Sequence, residues 1–114
     1  MKTVNTAEIA GYEVTETLGM VRGNTIRVRN IGRDIIAVLR MLVGGEVNEY
    51  TKMMAEAREQ AIDRMKVEAE SLGADAIVQV QFTTSFIMSG AAEILAYGTA
   101  VKIRKKAQPD RKKL

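Results

Sequence analysis

The sequence of 114 residues contains no cysteine and no histidine. Without cysteine the chain can form neither a disulfide framework nor a thiolate site, and this favours a cytoplasmic location. Histidine is the commonest general base in enzymes and a frequent ligand of transition metals. We therefore expect a non-enzymatic protein with no cofactor and no metal site, and the alternative is an enzyme that uses Glu16 or Glu93 as its general base.

Long apolar runs are missing as well. A transmembrane helix needs about 18 consecutive apolar residues, and the sequence has no such run. The segment Met1 to Ile9 lacks the basic start and apolar core of a signal peptide. The pair Gly44-Gly45 is not followed by the lysine and hydroxyl residue of a phosphate loop, and no serine-hydrolase or zinc-protease motif occurs. The sequence thus predicts no membrane span and no familiar catalytic class.

Positive charge is concentrated at the C-terminus. The net charge is +3, yet residues 102–114 carry +6 and residues 1–101 carry −3. This division predicts a single domain over residues 1–104 and a basic, disordered tail over 105–114. The tail could serve a nucleic-acid or membrane-surface adaptor, which we keep as an alternative. Nucleic acid is the less favoured partner, because no aromatic residue after Tyr97 could stack on bases.

The first 45 residues suggest a hairpin and a short helix. Partial alternation over 12–22 predicts a strand, Gly23-Asn24 is typical of a turn, and residues 25–29 would return as a second strand. Apolar residues at helical spacing then predict a short helix over 31–42, which Gly44-Gly45 would end.

The clearest periodicity belongs to a long helix over Asn48 to Leu72. Its composition is rich in helix-forming residues, and Gly73 follows it as a C-cap. One stripe of apolar residues follows its length: Tyr50, Met54, Ala57, Ala61, Met65, Ala69 and Leu72.

Two strands complete the domain, over Ala76 to Thr84 and Ala92 to Ile103. The faces of the second strand differ in size, with alanine and glycine on one side and larger residues on the other. We expect the small face to pack against the long helix. The larger face, with Leu95, Tyr97 and Val101, would need another subunit, which predicts a closed homo-oligomer. Alternatively, the hairpin and short helix cover this face within one chain.

Five polar residues are candidate ligand-binding positions. Glu16 shares its alternation with Val14, Leu18 and Met20, so it would point inward and bind a cation or polar ligand, unless this end of the strand is solvated. Gln79, Gln81 and Thr83 form a polar row opposite Val78, Val80 and Phe82. With Glu93 this row would line a lumen, or it would be the solvated side of a sheet.

Several short motifs keep a characteristic order and spacing along the chain. They include Gly19-Met20-Val21-Arg22-Gly23, Arg33-Asp34, Val43-Gly44-Gly45, Leu72-Gly73-Ala74-Asp75-Ala76 and Tyr97-Gly98-Thr99-Ala100-Val101. With these motifs the sequence resembles the YbjQ family of prokaryotic proteins over Tyr12 to Ile103. Some members of that family carry the label "putative heavy-metal-binding".

The resemblance implies an α+β fold with a β-α-β-β subunit, similar to the dodecin-like architecture. Its three-stranded antiparallel sheet would have the order 1-3-2, with a short extra strand, and five copies would close a barrel. The metal label transfers poorly, since soft metals prefer thiolate or imidazole ligands and this chain has neither. The sequence therefore favours a closed ring of identical copies that binds a small ligand or ion, and the resemblance implies that the ring has five copies.

Overall fold

One long helix packs on one face of a four-stranded sheet. The computed structural model describes residues 1–28, 47–88 and 91–107. Their elements are β1 (Lys2–Thr3), β2 (Tyr12–Val28), α1 (Val47–Ser71), β3 (Ala76–Met88) and β4 (Ala91–Lys105). The short helix predicted over 31–42 and most of the predicted tail, residues 108–114, lie outside the described residues. No helix among the described residues is long and apolar enough to cross a membrane.

The sheet is mixed, in the order β1-β3-β4-β2. The three long strands pair antiparallel, with β4 between β2 and β3. This is the order 1-3-2 that the family resemblance implies. The short strand β1 adds a parallel pair at the start of β3. The α+β class and the single long helix over the sheet are therefore confirmed.

The helix α1 follows its predicted bounds within one residue at each end. Four members of its apolar stripe are fully buried: Ala57, Ala61, Met65 and Ala69. Gly73 has a φ of 78°, and its N–H donates to the carbonyl of Glu70. The N–H of Ala74 donates to the carbonyl of Ala69, which completes a Schellman motif. The helix thus ends where its glycine cap predicts.

Small side chains let α1 approach the sheet closely. On β4, Ala96 and Ala100 are fully buried beneath the helix, as predicted for the small face of this strand. On β2 the corresponding position is Gly23, whose register partner is Ala96. A Cβ atom at Gly23 would overlap the carbonyl oxygen of Ala61 and the backbone nitrogen of Met65. Only glycine fits where the helix crosses β2.

This contact corrects the predicted hairpin. The strand β2 continues without a turn from Tyr12 to Val28, and Gly23-Asn24 lies in its middle. Gly23 keeps an ordinary strand conformation, since the described glycines with positive φ are Gly11, Gly19 and Gly73. The turn prediction was wrong because Gly23 is needed for close packing against the helix. It is not needed for a turn conformation of the backbone.

Two register shifts in β2 overturn the predicted orientation of Glu16. They lie between Val14 and Glu16 and between Thr17 and Gly19, where Gly19 has a φ of 123°. A bulge inserts an unpaired residue and breaks the alternation of faces. Leu18 packs against the helix-side core, whereas Met20 is 74% exposed. Glu16 does not point inward: its side chain is 59% exposed, 4.0 Å from the Lys102 ammonium.

The N-terminal segment covers half of the second sheet face. Ile9 forms a buried cluster with Ala76, Val78 and Val101, and Val4, Tyr12 and Ile103 pack around it. Val101, a predicted interface residue, is only 1% exposed under this segment. The expectation that Val101 contacts another subunit therefore needs correction, because its own chain already buries it.

We expect Gly23→Ala to destabilise the protein strongly. The added methyl group meets helix backbone, which cannot move aside as a flexible side chain could, so a loss of about 3 kcal/mol is expected. Urea unfolding at fixed protein concentration measures it. Gly11→Ala is the control: nothing lies within 4 Å of its Cβ position, and only its φ of 82° opposes alanine. A Gly23→Ala protein as stable as the wild type would contradict the close contact.

Candidate functional site: the open face of the sheet

The half of the second sheet face beyond the N-terminal segment is uncovered by described residues. We call it the open face. Its residues are Met20, Arg22, Asn24 and Ile26 of β2, Gln81, Thr83 and Ser85 of β3, and Glu93, Leu95 and Tyr97 of β4. They alternate with residues under the helix, such as Val21 and Ile94. The long strands thus present one continuous surface opposite α1.

Strand register arranges the open face in three rows across the sheet. The first row is Gln81, Tyr97 and Arg22, the second is Thr83, Leu95 and Asn24, and the third is Ser85, Glu93 and Ile26. Directly opposed side chains on neighbouring strands lie about 5 Å apart at Cβ. Each row therefore places side chains from three strands within contact distance.

Hydrogen bonds orient two pairs of these side chains. The Tyr97 hydroxyl donates to Gln81 Oε1 at 2.9 Å. Asn24 Nδ2 donates to Glu93 Oε2 at 3.4 Å, diagonally between the second and third rows. Arg22 forms no ion pair with another described residue. The open face thus combines ordered polar groups with the guanidinium of Arg22.

The structure brings five of the eight predicted site residues together. Gln81, Thr83 and Glu93, predicted to bind a ligand, share the open face with Leu95 and Tyr97, predicted to form an interface. Glu16, Gln79 and Val101 lie elsewhere. The β2 residues of the open face were missed because a turn was expected at Gly23-Asn24. The alternation of Met20, Arg22, Asn24 and Ile26 through that point was the available signal.

Gln79 leaves the predicted polar row because it occupies a bulge. Its φ is 57°, and a register shift separates Val78 from Gln81. Its N–H donates to the carbonyl of Thr6 at 3.0 Å, so the bulge is held by the N-terminal segment. Val78 consequently faces the same side as Gln81, while Val80 packs towards the helix. The predicted set of Val78, Val80 and Phe82 on one face was wrong for Val78.

The donor set fits a heavy-metal site poorly. Soft metals select thiolate and imidazole ligands, and the sequence has no cysteine or histidine. The described residues bring no group of three or more aspartate or glutamate side chains together. Met65, a thioether donor, is fully buried in the core under the helix.

Comparison with known proteins places this fold and sequence in a family. Residues 1–104 match the YbjQ family, whose description reads "Putative heavy-metal-binding". The chain belongs to this family. The resemblance seen in the sequence motifs is therefore confirmed, and it extends to the N-terminal segment that covers Val101.

The chain is also similar over most of its length to proteins with the name "UPF0145 protein". The chain is 62% identical to a "UPF0145 protein" of Halorubrum lacusprofundi over 104 residues, 91% of this chain and 100% of that protein. It is 60% identical to a "UPF0145 protein" of Methanosarcina acetivorans over 103 residues, 90% of this chain and 97% of that one.

A solved structure shares the fold. The crystal structure of a protein of unknown function from the DUF74 family of Pediococcus pentosaceus matches with a TM-score of 0.64 and 18% identity. The match covers 91% of this chain and 98% of that one. At this identity the likeness shows the fold alone.

We expect a measurable coupling between Tyr97 and Gln81. A hydrogen bond between neutral side chains contributes about 1 kcal/mol to stability. A double-mutant cycle with Tyr97→Phe and Gln81→Ala should return a coupling energy of that size in urea unfolding. The control cycle pairs Tyr97→Phe with Glu93→Gln, two positions in different rows and without a shared contact. Equal coupling in both cycles would argue against the Tyr97–Gln81 bond.

Proposed function

We propose that the chain is a non-enzymatic subunit of a closed homo-oligomeric ring that binds a small polar ligand or ion on its open face. Five copies and a dodecin-like subunit are what the family resemblance implies. The supporting observation is the mixture of exposed apolar groups and ordered polar groups on one uncovered sheet surface.

The apolar part of the open face supports burial against a neighbouring copy. Met20 is 74% exposed and Ile26 is 52% exposed. They are the first and last residues that β2 contributes to the open face. Leu95 and Tyr97 lie half-buried between them. Contiguous apolar surface of this kind is rare on monomers and typical of interaction sites. A second copy would remove it from water.

The shape of the subunit supports the same proposal. Its Cα radius of gyration is 19.6 Å, with principal extents of 67 × 31 × 16 Å. A compact domain of this length has a radius of about 13 Å. Among the described residues the subunit has two layers, and α1 is the helix that covers one face of the sheet. Such a two-layer subunit gains a buried core on its second face by association.

The sheet edges and two exposed phenylalanines are further surfaces that a neighbouring copy could contact. The strand β2 is at one edge of the sheet among the described residues, and β1 reaches only the start of β3 at the other. Phe82 is 45% exposed and Phe86 is 79% exposed on the helix side of β3, which α1 does not cover. Pairing of β2 with the β3 edge of a neighbour would satisfy backbone groups and close a barrel.

The polar part of the open face supports ligand binding in such a ring. Small-molecule sites combine apolar lining with a few oriented polar groups. Tyr97 and Gln81 order one another, and so do Asn24 and Glu93. Arg22 adds a charged donor in the first row. Repetition of these groups around a ring axis would give a symmetric polar site with an apolar surround.

We expect Leu95→Asp to dissociate the ring. A charge in the middle row of the open face would be buried without a partner in the assembly, which costs several kcal/mol per copy. Native mass spectrometry measures the copy number. Val67→Asp is the matched control, since Val67 is 66% exposed on the outer side of α1. Wild-type copy number in Leu95→Asp, or a monomeric wild type, would overturn the proposed assembly.

We expect the wild-type ring to retain a small molecule of constant mass in the same spectra. Gln81→Leu should reduce its occupancy at least about tenfold, because the variant removes an oriented polar group worth roughly 1.4 kcal/mol to a ligand. Thr84→Val is the control, on the helix side of the same strand. Equal retention by both variants would place the molecule away from the open face.

A further inference from the structure

Two polar groups of β2 are buried against the helix without a hydrogen-bond partner. They are the hydroxyl of Thr25 and the Nε of Arg27. Thr25 is only 3% exposed, and it is the buried polar residue of the described core. An unpaired buried polar group costs about 1–3 kcal/mol, so native proteins seldom leave one without a use.

These two groups are neighbours on one side of the sheet. Thr25 pairs with Ile94 and Arg27 pairs with Ala92, both through the β2–β4 register. One residue separates them along the strand, so both side chains project towards α1. The Arg27 guanidinium is fixed in place, because its Nη2 donates to Gln60 Oε1 of the helix at 2.9 Å.

The chemistry of the pair selects an anion. A guanidinium carries a fixed positive charge, and among the described residues Arg27 forms no ion pair with a carboxylate. Its Nε–H and the threonine hydroxyl are both donors, and both are unused. Gln60 Oε1 is a neutral acceptor, so this hydrogen bond does not neutralise the positive charge of Arg27. We propose that Thr25 and Arg27 form an oxyanion site between β2 and α1, for a phosphate or carboxylate group.

This site is distinct from the open face, because it lies on the opposite side of the sheet. Its oxyanion could be a free phosphate or a carboxylate of a neighbouring copy. The second source rests on the proposed ring. A free phosphate would raise the melting temperature, whereas a carboxylate of a neighbouring copy would affect the number of copies in the assembly. One set of variants therefore separates the two sources.

The test is thermal unfolding of the full chain in potassium phosphate and in potassium chloride at equal ionic strength. For a free anion, phosphate raises the wild-type melting temperature saturably. Arg27→Gln removes a charge-assisted hydrogen bond and should weaken the apparent phosphate affinity at least about tenfold. Arg58→Gln, on the exposed surface of α1, is the charge-matched control and should respond like the wild type.

Thr25→Val tests the hydroxyl independently of the charge. Valine keeps the volume of threonine, so the variant folds even where Arg27→Gln does not. In chloride it should be as stable as the wild type or more so, because an unpaired hydroxyl has been removed. In phosphate its gain in melting temperature should be smaller than that of the wild type. A full phosphate response in Thr25→Val would overturn the role of the hydroxyl.

The remaining outcomes decide the source of the anion. No phosphate effect on the wild type, combined with a lower copy number for Arg27→Gln than for Arg58→Gln in native mass spectra, assigns the oxyanion to a carboxylate of a neighbouring copy. No phosphate effect and unchanged copy number would overturn the site. An equal phosphate effect in the wild type and Arg27→Gln would also overturn it, as a general salt effect. The Leu95→Asp experiment judges the ring separately.

Discussion

The close contact between α1 and the sheet at Gly23 sets the geometry of the whole subunit. The helix can lie across β2 because the backbone there carries no side chain, and across β4 because Ala96 and Ala100 are small. Alanines of the helix complete the contact from the other side. Such packing brings the backbone of the 25-residue helix close to the backbone of the sheet.

One consequence is that the part of the chain that the structure describes is strongly one-sided. The helix buries the face with the small residues, while the N-terminal segment reaches only part of the opposite face. The rest of that face holds the apolar and polar residues for which we propose an oligomeric ligand site. A chain of this size can bury only about two-thirds of its surface by folding, so unfilled apolar surface is a natural place for association. The proposed function follows from this asymmetry.

Bulges decide which side chains meet on each face. Two bulges in β2 place Glu16 and Leu18 on the opposite sheet face from Val14 and Met20. One bulge at Gln79 places Val78 on the same face as Gln81. Each bulge shifts every later residue to the other side of the sheet. The composition of the open face, and the shared direction of Thr25 and Arg27, therefore depend on a few backbone irregularities outside these sites.

The sequence alone determined the elements whose signals are local. The bounds of α1, its Gly73 cap, the two faces of β4 and the poor fit to soft metals follow from periodicity and composition, which need no long-range information. It also led to the proposal of Gln81, Thr83 and Glu93 as ligand positions and of Leu95 and Tyr97 as interface positions, and the strand register brings these five residues onto one sheet face. Only the tertiary structure decided that Gly23 lies in a continuous strand, that Val101 is covered by Ile9, and that Glu16 and Gln79 occupy irregular positions. These outcomes depend on contacts between residues that are distant in the chain. The local sequence around a glycine or a polar residue can be the same whether that residue lies in a turn, in a bulge or under a packed helix.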